Sequence, residues 1–285
     1  MKVLVTGLTG FTGHYVQGEL KSSGYEVFGL KNNLIDKDSL AAEIKQLQPE
    51  AIIHLAAIAF VGQSNVNEFY QVNLIGTRNL LEVVEQYSPT VQSILLASSA
   101  NVYGNRSEGI LSETDEPNPA NDYAVSKFAM EKMAALWLSR LPLFIVRPFN
   151  YTGVGQNDSF LIPKIVAHFQ KRASVIELGN LDIWREFNDV RMIAEIYRKL
   201  LHLSPVGQTL NVCTGKSYSL REIIQFFETI TGYSIEVKVN PKLIRDNEVR
   251  TLTGSNVKLK KLMGDFEVRK LEDTLKWMLN SKRGN

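Results

Sequence analysis

Cysteine is almost missing from this 285-residue chain, which carries one, Cys213. An intramolecular disulfide is therefore impossible, and a cysteine-rich zinc site is excluded. The histidines His14, His54, His168 and His202 are scattered without metal-ligand spacing. Neither sign of charge dominates: 32 Lys and Arg stand against 30 Asp and Glu. Such a balance gives no electrostatic footprint for nucleic acid. Long apolar runs are lacking as well. The run Val3-Leu4-Val5 near the start is too short for a signal-peptide core, and no stretch approaches the ~18 apolar residues of a membrane span. Low-complexity segments and solenoid-period repeats are also missing. These absences point to a cytoplasmic, disulfide-free protein of one large domain or two small ones that handles a small molecule.

What is present is an alternation. Strand-like runs at Lys2–Thr6, 26–30, 51–55, Ser93–Ala97 and 143–147 are separated by helical patterns at 10–22, 39–47, 68–86 and 122–140. Repeated β-α-β units imply an α/β fold, a Rossmann-like doubly wound parallel sheet with helices on both faces. After Pro148 the loops lengthen, and helical patterns persist at 162–171, 191–201, Leu220–Thr231 and 271–279. The expected organisation is a dinucleotide-binding domain over 1–150 and a smaller mixed α/β substrate lobe over 151–285, with the chain free to cross between them.

Gly7, Gly10 and Gly13 fall between the first strand and the first helix. One glycine permits the tight turn, one lets the backbone approach a pyrophosphate, and one allows close helix–strand packing. The helix N-terminus then favours the anion. Thr9, Phe11 and Thr12 complete this candidate loop. At the end of the second strand, NAD-specific folds carry an acid for the ribose 2′-hydroxyl. Here Gly29-Leu30-Lys31-Asn32-Asn33 has none. Lys31 is placed to face a 2′-phosphate, so NADP(H) is favoured and NAD(H) stays open.

Tyr123 and Lys127 are spaced i, i+4 at the start of a predicted long helix and share one face. A nearby ammonium lowers a phenol's pKa, which would make Tyr123 a general acid/base near neutral pH. Lys127 could also hold a cofactor ribose hydroxyl. Ser98 and Ser99 follow a predicted parallel strand, at the end where such sheets bind ligands. Ser99 is placed to hydrogen-bond a substrate carbonyl oxygen beside Tyr123.

Together with these, His54-Leu55-Ala56-Ala57, Asn73-Leu74-Ile75-Gly76-Thr77, residues 98–104, Arg147-Pro148-Phe149-Asn150 and residues 185–190 resemble the extended short-chain dehydrogenases/reductases acting on nucleotide sugars, the NAD-dependent epimerase/dehydratase family. The resemblance runs from Val3 to about Leu279. Within that family, Asn211-Val212-Cys213-Thr214-Gly215 and residues 245–254 are most similar to the GDP-4-keto-6-deoxy-D-mannose reductases. The resemblance implies NAD(P)H-dependent reduction at C4 of a nucleoside-diphosphate 4-keto-6-deoxy sugar, giving GDP-D-rhamnose for surface polysaccharide such as lipopolysaccharide. It implies Ser99, Tyr123 and Lys127 as catalytic residues. The implied cofactor contacts are the glycine loop, Lys31, Asn32, Asn33, Leu55, Ala56, Ala57, Asn73 and Pro148, with Tyr123 and Lys127. The implied substrate contacts are Ser99, Ala100, Asn101, Asn150, Phe160, Lys164, Arg185, Arg245 and Glu248. Arg185 and Arg245 suit a diphosphate because a guanidinium fork matches two phosphate oxygens. The resemblance also implies a homodimer, because in relatives the two long helices pair across a two-fold axis.

Dehydratases of this family carry an acid after the catalytic Ser or Thr. Ala100 and Asn101 stand there instead, which argues against a 4,6-dehydratase, with Glu113, Asp115 and Glu116 as acids in the following loop. A 4-epimerase retaining NAD remains open, as does a non-catalytic NADP-binding sensor. Met130, Met133, Leu136 and Trp137 are spaced for a packing face. Cys213 reads as a buried strand residue, and His54 as a satisfied core or cofactor-edge histidine.

Overall fold

A strand buried on both faces reads as a continuous apolar run. β1 (Lys2–Thr6) is such a strand: Val3, Leu4 and Val5 have no exposed surface. In the computed structural model, which describes residues 1–59, 65–104, 109–243 and 251–281, β1 lies inside a six-stranded sheet. The others are β2 (Glu26–Gly29), β3 (Ala51–His54), β4 (Ser93–Ala97), β5 (Leu143–Pro148) and the strand Thr209–Val212. All neighbours are parallel, in the order Thr209–Val212, β5, β4, β3, β1, β2. β2 is an edge strand, because the segment after it leads directly into α2 (Lys37–Leu47). That helix carries the chain back past β1 to β3. The order therefore switches between β1 and β3, and ligands of such sheets bind outside the carboxyl ends at a switch.

Successive strand residues face opposite sides. Val3, Val5, Ile53 and Val146 pack under α1 (Phe11–Ser22) and α6 (Val190–Leu203). Leu4, Ile52 and Ile94 pack under α2, α3 (Thr77–Tyr87) and α4 (Asp122–Ala134). Each completely buried Leu or Ile here is worth ~1.5–3 kcal/mol over leaving it in water. After α6 the chain re-enters the sheet, where Thr209–Val212 pairs with β5. Residues 190–212 thus belong to the sheet layer, although they lie beyond Pro148.

A second core gathers α5 (Leu161–Gln170), α7 (Leu220–Thr231) and α8 (Leu271–Asn280) beside the strand pair Val175–Leu178 and Glu236–Val239. Above it, Trp184–Arg185 is the middle of three short strands, antiparallel to Tyr218–Ser219 and parallel to Thr251–Leu252.

Two helical expectations change. The segment preceding α3 is a π-helical stretch, Phe69–Gly76, not regular α-helix. The helix expected over 122–140 ends as α-helix at Ala134 and tightens to a 3₁₀ turn, Ala135–Trp137. A 3₁₀ turn has 3.0 residues instead of 3.6, which breaks the packing stripe. Met130 and Trp137 are buried, but Leu136 is 69% exposed. Among the described residues, no helix is long and apolar enough to cross a membrane.

Candidate active site

The carboxyl ends of β1, β3, β4 and β5 all open on one edge of the sheet, because the strands are parallel and in register: Thr6 pairs His54, His54 pairs Leu96, and Ala97 pairs Val146. The glycine loop leaves β1 on this edge. Gly7 has φ +71°, where L side chains rarely sit, and a Cβ there would come 2.9 Å from Ala56 N. At Gly13, in the first turn of α1, a Cβ would overlap the Gly7 and Leu8 carbonyls. The helix start is capped by Gly10 without a side-chain hydrogen bond, and its first turn holds no acid. This bare, positively polarised helix end with a close backbone approach fits a pyrophosphate. The residues present therefore fit a nicotinamide dinucleotide.

Ser99 follows β4 by two residues, and Tyr123 opens α4, whose N-terminus is capped by the Asn121 side chain on Ala124 N at 2.9 Å. Both residues are buried, and the Ser99 hydroxyl is a hydrogen-bond partner of the phenol. Ser99 Oγ also accepts from Asn101 N at 3.2 Å. Lys127 is buried one turn further along α4, where its Nζ donates to Ala97 O at 2.8 Å.

The electrostatics differ from the sequence-based expectation. Burial pushes the Tyr123 pKa up to about 12, and the Ser99 hydrogen bond only partly offsets this. Burial pulls the Lys127 pKa down to about 8, with Glu131 acting against it. Lys127 is spent on a β4 carbonyl and does not depress the phenol. Tyr123 is thus a protonated acid at neutral pH, not a ready phenolate.

The remaining expected residues divide. Leu55 N and Ala56 N donate to Thr6 Oγ1, and Asn73 is buried with its amide closed on Ile58 N and O. Ala57 lies between these anchors, and Pro148 ends β5 opposite Val212. Thr9 and Gly10 are exposed, and Phe11 stacks 6.2 Å from Tyr151. Lys31, Asn32 and Asn33 are exposed on the loop after β2, and Asn33 Oδ1 accepts from Ile35 N at 3.0 Å. Ala100 and Asn101 open a short 3₁₀ turn beside Ser99. Asn150 is tied by its carbonyl to Asn188 N at 2.8 Å. Phe160 caps α5 and is exposed, and Lys164 Nζ donates to Glu177 O at 2.6 Å. Arg185 sits on the middle short strand, with Nη1 on Trp184 O at 2.9 Å. Arg245 and Glu248 lie outside the described residues. Of the acids after Ser99, Glu113 is bonded to Asn211 N at 2.7 Å and Asp115 to Ser112 N at 2.8 Å. Both carry structural bonds.

Three residues escaped the sequence reading. Tyr151 joins the glycine loop through Thr12 Oγ1 at 2.8 Å and lies close enough to Tyr123 to help raise its pKa. It directly follows the motif ending at Asn150, so adjacency could have found it. Glu43 of α2 accepts from Lys31 N at 2.9 Å and from Asn32 N at 3.0 Å, placing a carboxylate where the second strand lacks one. Glu186 is completely buried and accepts from Gly254 N at 2.6 Å, Thr214 N at 2.9 Å and Gly215 N at 3.2 Å. Burial raises its pKa, while these donors hold it down. No local pattern marks the last two, because their partners are distant along the chain.

Residues 3–213 match the NAD dependent epimerase/dehydratase family. Over 272 residues the chain is 36% identical to the GDP-6-deoxy-D-talose 4-dehydrogenase of Aggregatibacter actinomycetemcomitans, covering 93% of this chain and 92% of that one. Over 276 residues it is 33% identical to the GDP-6-deoxy-D-mannose reductase of Pseudomonas aeruginosa, covering 90% and 89%. The solved structure of RMD from Pseudomonas aeruginosa complexed with NADPH superimposes with a TM-score of 0.90 at 30% identity, covering 98% of this chain and 97% of that one.

Proposed function

The chain belongs to the NAD dependent epimerase/dehydratase family, and from that premise we propose that it reduces the C4 keto group of GDP-4-keto-6-deoxy-D-mannose with NADP(H). It is an NAD(P)-dependent oxidoreductase acting on nucleotide sugars. The observation that carries the reading is the buried Ser99–Tyr123 hydroxyl pair beside a glycine loop fit for a pyrophosphate. Two relatives named for GDP-6-deoxy sugars support the substrate class.

A nicotinamide dinucleotide supplies the hydride when bound. Tyr123, still protonated with its pKa near 12, gives its phenolic proton to the C4 oxygen as that oxygen gains charge. The ketone thereby becomes a secondary alcohol, and the phenol regains its proton from solvent. Ser99 donates to the same oxygen and stabilises its developing charge. Lys127, held by Ala97 O, orients the cofactor ribose. Arg185 and Arg245 hold the diphosphate, with Asn150 and Glu248 on the sugar and ribose.

One observation favours a second reading, a 4-epimerase that retains NAD: the Glu43 carboxylate against Lys31 and Asn32 repels a 2′-phosphate. Identifying the dinucleotide bound in purified protein separates the two. A homodimer through the face bearing the exposed Ile75, Val125 and Leu136, and a cytoplasmic role in surface polysaccharide supply, complete the proposal.

The test is incubation of GDP-4-keto-6-deoxy-D-mannose with the protein and NADPH, followed by NMR of the sugar. The reading predicts a GDP-6-deoxyhexose reduced at C4. Rhamnose is 6-deoxymannose, and 6-deoxytalose is its C4 epimer, so the same spectrum assigns the C4 configuration. A keto sugar left unconsumed by protein that binds NADPH would sink the reading.

A further inference from the structure

His54 ends β3 and is 1% exposed. Its Nδ1 lies 2.7 Å from Thr6 Oγ1 and its Nε2 lies 2.8 Å from Thr77 Oγ1. A hydroxyl offers one proton and two acceptor sites. Thr6 Oγ1 already accepts from Leu55 N at 3.2 Å and Ala56 N at 3.1 Å, so its proton goes to Nδ1. Thr77 Oγ1 gives its proton to Asn73 O at 2.8 Å, so it accepts from Nε2–H. Both ends independently demand the same neutral tautomer. Burial, aided by the charge on Lys127, agrees by holding the imidazole pKa down at about 3.

The chain of bonds continues. Asn73 Oδ1 accepts from Ile58 N at 2.9 Å, and its Nδ2 donates to Ile58 O at 3.1 Å and to Ser126 Oγ at 3.0 Å. Ser126 Oγ then donates to Tyr123 O at 2.8 Å. The segment after β3 is thus fastened at Leu55–Ala56 by Thr6 and at Ile58 by Asn73, and the same relay reaches the residue that opens α4. We propose that His54 is a positioning residue: its fixed Nε2–H tautomer locks the 55–58 wall of the cleft to the start of the glycine loop and to the backbone of Tyr123. Reversing the tautomer would set donor against donor at Thr6 and leave Thr77 Oγ1 without the Nε2–H that it accepts. The relay therefore has one direction and one register. The inference rests on reading this cleft as the dinucleotide site.

Thr77→Val removes one acceptor while keeping the side-chain shape, and Thr77→Ser keeps the hydroxyl. Nitrogen-15 NMR of the histidines, with His54 assigned by loss of its signals in His54→Gln, should find a neutral ring protonated on Nε2 throughout about pH 5 to 8. Fluorescence titration of folded protein should find NADPH binding weakened roughly tenfold in Thr77→Val and within about twofold of wild type in Thr77→Ser, the scale of one buried hydrogen bond. A proton on Nδ1, a ring that titrates in that range, or Thr77→Val binding NADPH as tightly as wild type would overturn the proposal. Wild-type protein that binds neither NADPH nor NADH would overturn the cofactor reading with it, whereas equal binding by Thr77→Val overturns the positioning role alone.

Discussion

The two groups of candidate site residues are held by different means. In one group, Ser99 and the 55–58 segment follow the ends of buried parallel strands, Tyr123 and Lys127 stand on α4 and Asn73 on the π-helical stretch, and side-chain bonds cross between these elements. In the other, Arg185 rides on a two-residue strand, Phe160 is exposed, and Glu186 pins the surrounding backbone. Under the proposed function, chemistry that depends on placing a proton within hydrogen-bond reach is built on the first group, and recognition of a long, flexible nucleotide sugar is left to short strands and loops, which can vary without disturbing the sheet.

The comparison breaks most sharply at Tyr123. Tyr123→Phe should lower kcat by ~10²–10⁴-fold, while the NADPH dissociation constant stays near wild type. Turnover near the wild-type rate would mean that the first group does not hold the acid.

Glu186→Gln acts on the other group. The amide introduces donors opposite the Thr214, Gly215 and Gly254 N–H groups, so the sugar-nucleotide KM should rise about tenfold with kcat changed little. A matching fall in kcat would place Glu186 with the chemistry instead.

Lys127 sharpens the contrast through stability. Its pKa is lowered from 10.5 to about 8, so the unfolded chain binds more protons between those values and stability rises with pH across that window. Below it, burial of the ammonium costs about 3 kcal/mol. Lys127→Met should therefore unfold at higher urea than wild type at pH 7, by about 1–2 kcal/mol after the Ala97 hydrogen bond is lost. That advantage should shrink near pH 10. An advantage independent of pH would contradict the stated cause.

The smallest effect is expected at Glu43. Glu43→Gln removes the carboxylate from the loop after β2 and should shift the ratio of NADPH to NADH affinity toward NADPH by about three- to tenfold. An unchanged ratio would mean that the carboxylate acts only as a loop tie.

The strands of the sheet were legible because apolar runs and glycine spacing are local patterns. The order and spacing of Ser99, Tyr123 and Lys127 were local patterns too, and all three are buried. The ionisation of Tyr123 was not legible, since it depends on burial and on Lys127 turning to Ala97 O. The entry of Thr209–Val212 into the sheet and the tie from Glu43 to Lys31 are tertiary events between distant residues. The π-helical stretch Phe69–Gly76 has a helical apolar pattern, and only the structure distinguishes it from an ordinary helix.

The central claim is hydride delivery to C4 with Tyr123 supplying the proton. Its most direct test is reaction of GDP-4-keto-6-deoxy-D-mannose with NADPH deuterated at the nicotinamide C4, on the face the enzyme uses, followed by NMR of the product. The account predicts one deuterium on the sugar C4 of a GDP-6-deoxyhexose, formed by wild type and not at a comparable rate by Tyr123→Phe. Product without deuterium at C4, or equal labelling rates in the two proteins, would contradict it.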